Sequence, residues 1–234
     1  MLKPLLAAIF ALTTITYAQA QGHFGLRAGY NAAWFTGQLD YQPQQRYHLE
    51  HGLQVGLTYT QPFGRLAVQP ALLFTHQGSR ATMREEQTTS QGPYVREYRQ
   101  RFRLNYVALQ LPVVYTPSEN HGWQLFAGPY VARGVSGKFD GNFQATLNGA
   151  PIETWGGTGG VRFATDGSSY YTSVSPWDAG LLGGVGYRRG PVQVQAGYSH
   201  GFLNRLTKTI ASPSDWQEHQ RSVFLTLTYF LGRP

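Results

Sequence analysis

The chain has no cysteine, which excludes disulfides, thiolate catalysis and cysteine-based metal sites. It has little charge: 13% of its residues are charged, where a soluble domain usually carries about a quarter. After the first residues, no segment approaches the roughly 18 consecutive apolar residues of a spanning helix, so a helical membrane protein is excluded. The formal net charge of +7 is spread over scattered arginines with no lysine-rich run, which argues against a nucleic-acid partner. The seven histidines show no paired ligand spacing except His48-x-x-His51 in an expected loop, with His121 and His219 isolated. No metal or other cofactor is expected.

What the chain does have is 28 glycines, 15 tyrosines and 13 phenylalanines. It opens like an export signal. Lys3 supplies the positive charge, "LLAAIFALTTITYA" is a short apolar run, and Ala18-Gln19-Ala20 offers a cleavage site. The expected division is a signal peptide over 1–20 and one barrel domain over 21–234.

Along that domain, apolar and polar residues alternate with period two. In "HFGLRAGYNAAW", Phe24, Leu26, Ala28, Tyr30 and Trp34 alternate with His23, Gly25, Arg27, Gly29 and Asn31. The pattern recurs in "GLQVGLTYT", "LAVQPALLFT", "YVALQLPVVY", "WQLFAGPYVA", "WDAGLLGGVGY", "VQVQAGYSHGF" and "SVFLTLTYFL", which makes eight strands. The connections at 61–65, 116–122 and 188–191 are short, and those at about 35–50, 78–98, 134–176 and 203–219 are long. Strict alternation of short and long connections is the signature of short periplasmic turns and long extracellular loops. The expected fold is all-β: an eight-stranded antiparallel up-and-down transmembrane β-barrel in the bacterial outer membrane. Within 134–176, Asn148-Gly149 marks a hairpin rising above the membrane, and "WGGTGG" marks a flexible bend.

The two faces have different chemistry. The polar face, rich in Gly, Gln and Thr, suits a narrow lumen filled by Arg27, Gln54, Gln69, Gln110, Asp178, Gln193 and Gln195. Arg27 and Asp178 are candidates to pair there. The apolar face ends in aromatics suited to membrane interfaces: Tyr59, Tyr115, Trp123, Tyr187 and Tyr229 at the short-turn end, and Trp34, Phe74, Trp177, Tyr198 and Phe202 at the other. Two places resist. Carrying the parity of Leu109 upstream turns Arg99, Arg101 and Arg103 outward. A bulge near Val107-Ala108 would instead turn them into the lumen, and that reading is preferred over one in which they meet lipid phosphates. Phe126 and Tyr130 are left ambiguous, since both parities of their strand carry aromatics.

In "VQVQAGYSHGFLN", Ser199, His200 and Asn204 cluster like an active site, yet the alternation puts Ser199 and His200 on opposite faces. A lipid hydrolase using His200 is therefore the weakest of the functional readings, and no enzyme is expected.

Several segments resemble the small outer-membrane barrels of Bacteroidetes that include PorT-like proteins. These are "NYVALQLPVVYTP" with Pro112, "FAGPYV" with Ala127, Gly128 and Pro129, and the run ending in Tyr198, Ser199, Gly201 and Asn204. His200 stands where that family usually has an aromatic. The resemblance implies an eight-stranded outer-membrane barrel and fixes no activity. The role expected is structural or interactive, through the long loops. Alternatives are a narrow passive pore for small solutes or an accessory barrel of a secretion system. Expected partners are outer-membrane lipids and lipopolysaccharide, the barrel-insertion machinery, and extracellular or secretion proteins, with the barrel a monomer.

Overall fold

A computed structural model describes residues 22–38, 46–118, 122–164, 173–206 and 217–231. The expected signal peptide and His121 lie outside these residues. The described chain forms β1 (His23–Gln38), β2 (Arg46–His48), β3 (Glu50–Phe63), β4 (Leu66–Val68), β5 (Ala71–Thr89), β6 (Gly92–Gln110) and β7 (Val113–Tyr115). It continues with β8 (Gly122–Leu147), β9 (Ala150–Gly160), β10 (Arg162–Phe163), β11 (Ser173–Val174), β12 (Trp177–Arg189), β13 (Val192–Gly201) and β14 (Gln217–Leu231).

These segments close into a ring of eight antiparallel staves: β1, β2–β3, β4–β5, β6–β7, β8, β12, β13 and β14. The last stave pairs back onto the first, from Phe24↔Leu231 to Gln38↔Gln217. Closure leaves the barrel no free edge, which a sheet in hydrocarbon requires. Staves three and four are interrupted at Pro70 and Pro112, which lack the N–H that a ladder needs. Their carbonyls stay bonded: Tyr59 N donates to Pro70 O at 2.9 Å, and Gln69 N to Pro112 O at 2.9 Å. Leu111 N donates to the carbonyl of Pro129 on the next strand, also at 2.9 Å.

The alternation in sequence becomes the two faces of the barrel. Leu53, Val55 and Leu57 on β3, Val192, Val194 and Tyr198 on β13, and Val223, Leu225, Leu227 and Tyr229 on β14 stand exposed outside. Gln54, Thr58, Gln193, Gln195, Thr226 and Thr228 are buried inside. Gly184 and Gly197 face each other across β12 and β13. A Cβ on either would collide with the ring of Phe126, and one on Gly197 with Phe224 as well. Glycine there makes room for two aromatic rings in a narrow lumen.

The long connections depart from expectation. Much of 78–98 is strand, because β5 runs to Thr89 and β6 returns from Gly92 with unbroken pairing. β8 likewise extends to 26 residues, while its turn into β9 at Asn148-Gly149 is the expected hairpin. Asn148 at φ 53 and Gly149 at φ 81 are both left-handed, as a two-residue hairpin turn demands. "WGGTGG" is no bend: Trp155–Gly160 pairs with Lys138–Phe143 as part of β9. Together β2, β5, β6, β8 and β9 form a sheet standing above the barrel on its long-loop side. Polar composition suggested loops because a strand beyond the hydrocarbon has no lipid face to keep apolar.

The bulge is also elsewhere. Pairing of β6 with β5 has no shift, whereas β8 carries an extra residue opposite Asn105/Tyr106, where Tyr106 faces Gly134 and Asn105 faces Ser136. Val135 is the residue skipped. Arg99, Arg101 and Arg103 therefore keep the outward parity of Val107 and Leu109, and Phe102, Leu104 and Tyr106 point inward. Phe126 and Tyr130 are both inward and buried.

Candidate functional site

Two regions concentrate polar chemistry: the lumen, and the outer face of the raised sheet. In the periplasmic half of the lumen a chain of amides crosses between staves. Gln195 Nε2 donates to Gln69 Oε1 at 3.2 Å, and Gln69 Nε2 to Gln193 Oε1 at 2.9 Å. Gln193 Nε2 then donates to Gln124 Oε1 at 2.7 Å, and Gln124 Nε2 to Thr116 Oγ1 at 3.0 Å. Gln69, 0% exposed, is the hub and also donates to Thr60 Oγ1 at 3.0 Å. Gln69, Gln193 and Gln124 each both give and accept, which is what allows such groups to be buried at all. Beside them lies a cavity of about 30 Å³ lined by Thr60, Gln69, Gln124, Arg188 and Gln193, room for about one water.

Arg27 and Asp178 do not pair. Arg27 lies among the threonines of neighbouring strands, its Nε donating to Thr228 Oγ1 at 3.1 Å. Asp178, adjacent to Trp177 at the opposite end, accepts from Tyr130 Oη at 2.9 Å. Both are buried on the inward face with Gln54, while Gln110 is half-buried. Parity revealed which side each occupied and carried no information on height.

Toward the outer mouth the lumen turns aromatic. Phe35, Leu104, Tyr106, Phe126, Tyr130 and Leu182 form one buried cluster. Above them the Arg205 guanidinium lies 3.5 Å from the ring centre of Phe35 and 4.8 Å from that of Phe102. It also bonds Glu218 at 2.8 Å, and Glu218 accepts a second bond from Tyr47 Oη at 2.7 Å. Arg205 and Glu218 are both buried. This cap escaped the sequence reading because Arg205 and Glu218, at the two ends of one long connection, meet Tyr47 and Phe35 of another, with no shared periodicity. Gln124, by contrast, could have been found, since it alternates with the outward Trp123.

The outer face of the raised sheet is built from cross-strand rows. One runs His48–Arg80–Arg101–Asp140–Thr158, each residue directly opposite the next. It lines a concavity of about 750 Å³ with Thr82, Arg99 and Asn142. Arg80 Nε reaches Glu50 Oε2 at 2.8 Å, and Arg101 Nη2 reaches Glu50 Oε1 at 2.6 Å. Burial pushes the Glu50 carboxyl up, but the bonds from Arg101 and Arg80 outweigh it and hold the group below the usual carboxylate range. Arg103 Nη2 bonds Asp140 Oδ2 at 2.7 Å. Thr158 donates to the other oxygen of Asp140, and these bonds lower its carboxyl too.

Of the aromatics singled out for the membrane interfaces, Phe74, Tyr115, Trp123, Trp177, Tyr187, Tyr198, Phe202 and Tyr229 stand exposed, and Trp34 and Tyr59 are half-buried. Trp123 packs edge-on against Tyr187 at 5.6 Å. His200 lies on this outer face beside Tyr198 and Phe202, with ring centres 6.1 and 5.3 Å away. Ser199 points into the lumen and is bonded to Ser222 at 2.7 Å, so the two do not form a catalytic pair. Among the described residues no cluster of three metal-ligating side chains occurs.

No curated protein matches the chain. Among solved structures it is similar to Ail, the attachment invasion locus protein of Yersinia pestis, with 12% identity and a TM-score of 0.40 over 90% of this chain and 99% of that one. It is also similar to Neisserial surface protein A, with 11% identity and a TM-score of 0.39 over 88% of this chain and 96% of that one. Overlap this loose leaves the fold to rest on the ring of strands itself. The family model described as outer membrane protein beta-barrel domain matches residues 17–206. The chain belongs to that family, and it is an eight-stranded antiparallel β-barrel of the bacterial outer membrane, with short periplasmic turns and long extracellular connections.

Proposed function

We propose that this barrel is a sealed anchor that holds a β-sheet outside the cell as an interaction surface. The observation that carries the reading is the division of β5, β6 and β8. Their lower parts enclose buried side chains, and their upper parts continue with β2 and β9 as an exposed polar sheet. The amide chain at one end and the Arg205–Glu218 cap at the other leave the lumen unsuited to solute flow. The outward aromatics act as anchors at the two membrane interfaces.

Membership of the PorT-like branch is supported by Pro112, Pro129 and the Tyr198-Ser199 run, and secretion genes beside this one would strengthen it. The purified protein in a planar bilayer is expected to give no conductance steps, and whole-cell proteolysis is expected to trim the sheet while the barrel keeps its heat-dependent gel migration. Stable conductance steps would overturn the reading in favour of a pore. Phospholipid hydrolysis lost on His200→Ala would overturn it in favour of an enzyme.

A further inference from the structure

The outward face of β5, β6 and β8 changes character row by row going up. Phe74–Val107–Arg133 is the last row with two apolar members. Next comes His76–Asn105–Ser136, where Asn105 Oδ1 accepts from His76 Nδ1 and Asn105 Nδ2 donates to Ser136 Oγ, each at 2.8 Å. Then come Gly78–Arg103–Lys138 and Arg80–Arg101–Asp140. Arg103 thus directly opposes Lys138, and Arg80 directly opposes Arg101.

Like charges set opposite one another across a sheet are destabilising. Glu50 offsets the Arg80–Arg101 pair and Asp140 takes one bond from Arg103. Lys138 and Arg133 have no ion pair among the described residues, and both are exposed. Arg133 is held against the Trp177 ring, 5.5 Å from its centre. Cations therefore outnumber carboxylates on a surface continuous with the lipid-facing strip. Successive rows are about 7 Å apart along a strand, so Arg103 lies about 10 Å above Val107 once the tilt is allowed for. The headgroup layer extends about 5–8 Å past the hydrocarbon, within reach of Lys138 leaning down, whereas Arg103 is drawn one row up to Asp140 and would reach phosphate by giving up that carboxylate.

We propose that Arg103, Lys138 and Arg133 form a binding site for the phosphate groups of the outer-leaflet glycolipid, lipid A. Phosphate between Arg103 and Lys138 would relieve their repulsion through charge-assisted bonds. The proposal rests on the preceding reading only in standing the sheet outside the membrane. A conducting barrel would sink that reading and leave this one intact.

The test is binding of bis-phosphorylated lipid A, and of the same lipid stripped of phosphate, to the purified barrel in detergent, read by native mass spectrometry. The phosphorylated form should bind about tenfold more tightly, the effect of a charge-assisted bond or two. Arg103→Gln with Lys138→Gln should remove that preference, and Arg84→Gln, near the sheet's tip and paired with Glu86, should retain it. Heat-dependent gel migration reports whether each variant is folded, and Arg133→Gln replaces the double variant if that one is not. Equal binding of the two lipids, or a preference that survives the substitutions, overturns the proposal. Inorganic phosphate competing at the lipid's own affinity would make this a site for free phosphate and overturn the membrane assignment.

Discussion

Replacing Gln69 by leucine tests whether the lumen is held together by its amides or by enclosed water. The side chains are similar in size, so little cavity is created and the change is chiefly one of hydrogen bonding. Gln69 donates to Thr60 and Gln193 and accepts from Gln195. The substitution therefore orphans the Gln193 carbonyl and the Gln195 amide, both 2% exposed. Thr60 can re-pair through its own hydroxyl. At about 1–3 kcal/mol for each buried group left unsatisfied, the expected loss is about 2–6 kcal/mol. Urea unfolding of the barrel in lipid vesicles, followed by tryptophan fluorescence and gel migration, would show the midpoint falling with an unchanged slope. Adding Gln193→Leu removes one orphan while exposing the Gln124 carbonyl, so the double substitution should cost less than the two singles combined. A loss below about 1 kcal/mol would mean that water substitutes for the amide, and the lumen would then be wet.

Two further outcomes follow from the sheet above the membrane. The folded-state carboxyl of Glu50 is held below its unfolded value. Its contribution is therefore present above the ordinary glutamate pKa of about 4.3 and lost as pH falls through the lower folded value. Exchange protection in β2 and the upper part of β5, taken against the intrinsic amide rate at each pH, should fall in that acidic window in the native protein, and Glu50→Gln should remove the dependence; protection that stays flat would refute the pairing. At the β8–β9 turn, valine at Gly149 would be forced to a φ near 81, at a cost of about 1–2 kcal/mol. Faster exchange confined to β9, with barrel migration unaltered, is expected, and no change would show that the turn adopts another conformation.

The barrel was legible because its information is local: a period of two survives in any eight or so residues, whatever the neighbours are. Val55 and Gln54, or Val194 and Gln195, declare their faces without reference to another strand. The extracellular sheet was hidden by the same rule. Arg99, Arg101 and Arg103 alternate faithfully with Tyr98, Phe102 and Leu104, but two solvents were assumed where the outer face meets water. The bulge at Val135 leaves no compositional mark on β8, and the outward arginines of β6 mimic a break in a strand whose register is unbroken. Height was the other blind spot. Arg27 and Asp178 share the lumen at different levels, and the Arg205–Glu218 pair meets Phe35 and Tyr47 only because the last stave pairs back onto the first. Site chemistry that depends on register or depth requires the three-dimensional structure.

The chain of amides in the lumen has one sense: every link from Gln195 to Thr116 is an N–H given to the next oxygen. A file of waters or hydroxyls can hand a proton along, because each member gives one up as it takes another. A carboxamide has no such exchange at neutral pH, its nitrogen keeping both hydrogens. A lumen plugged in the proposed way therefore also breaks any proton relay through the barrel's axis. Swapping one glutamine for glutamate would supply the titratable member that a relay needs.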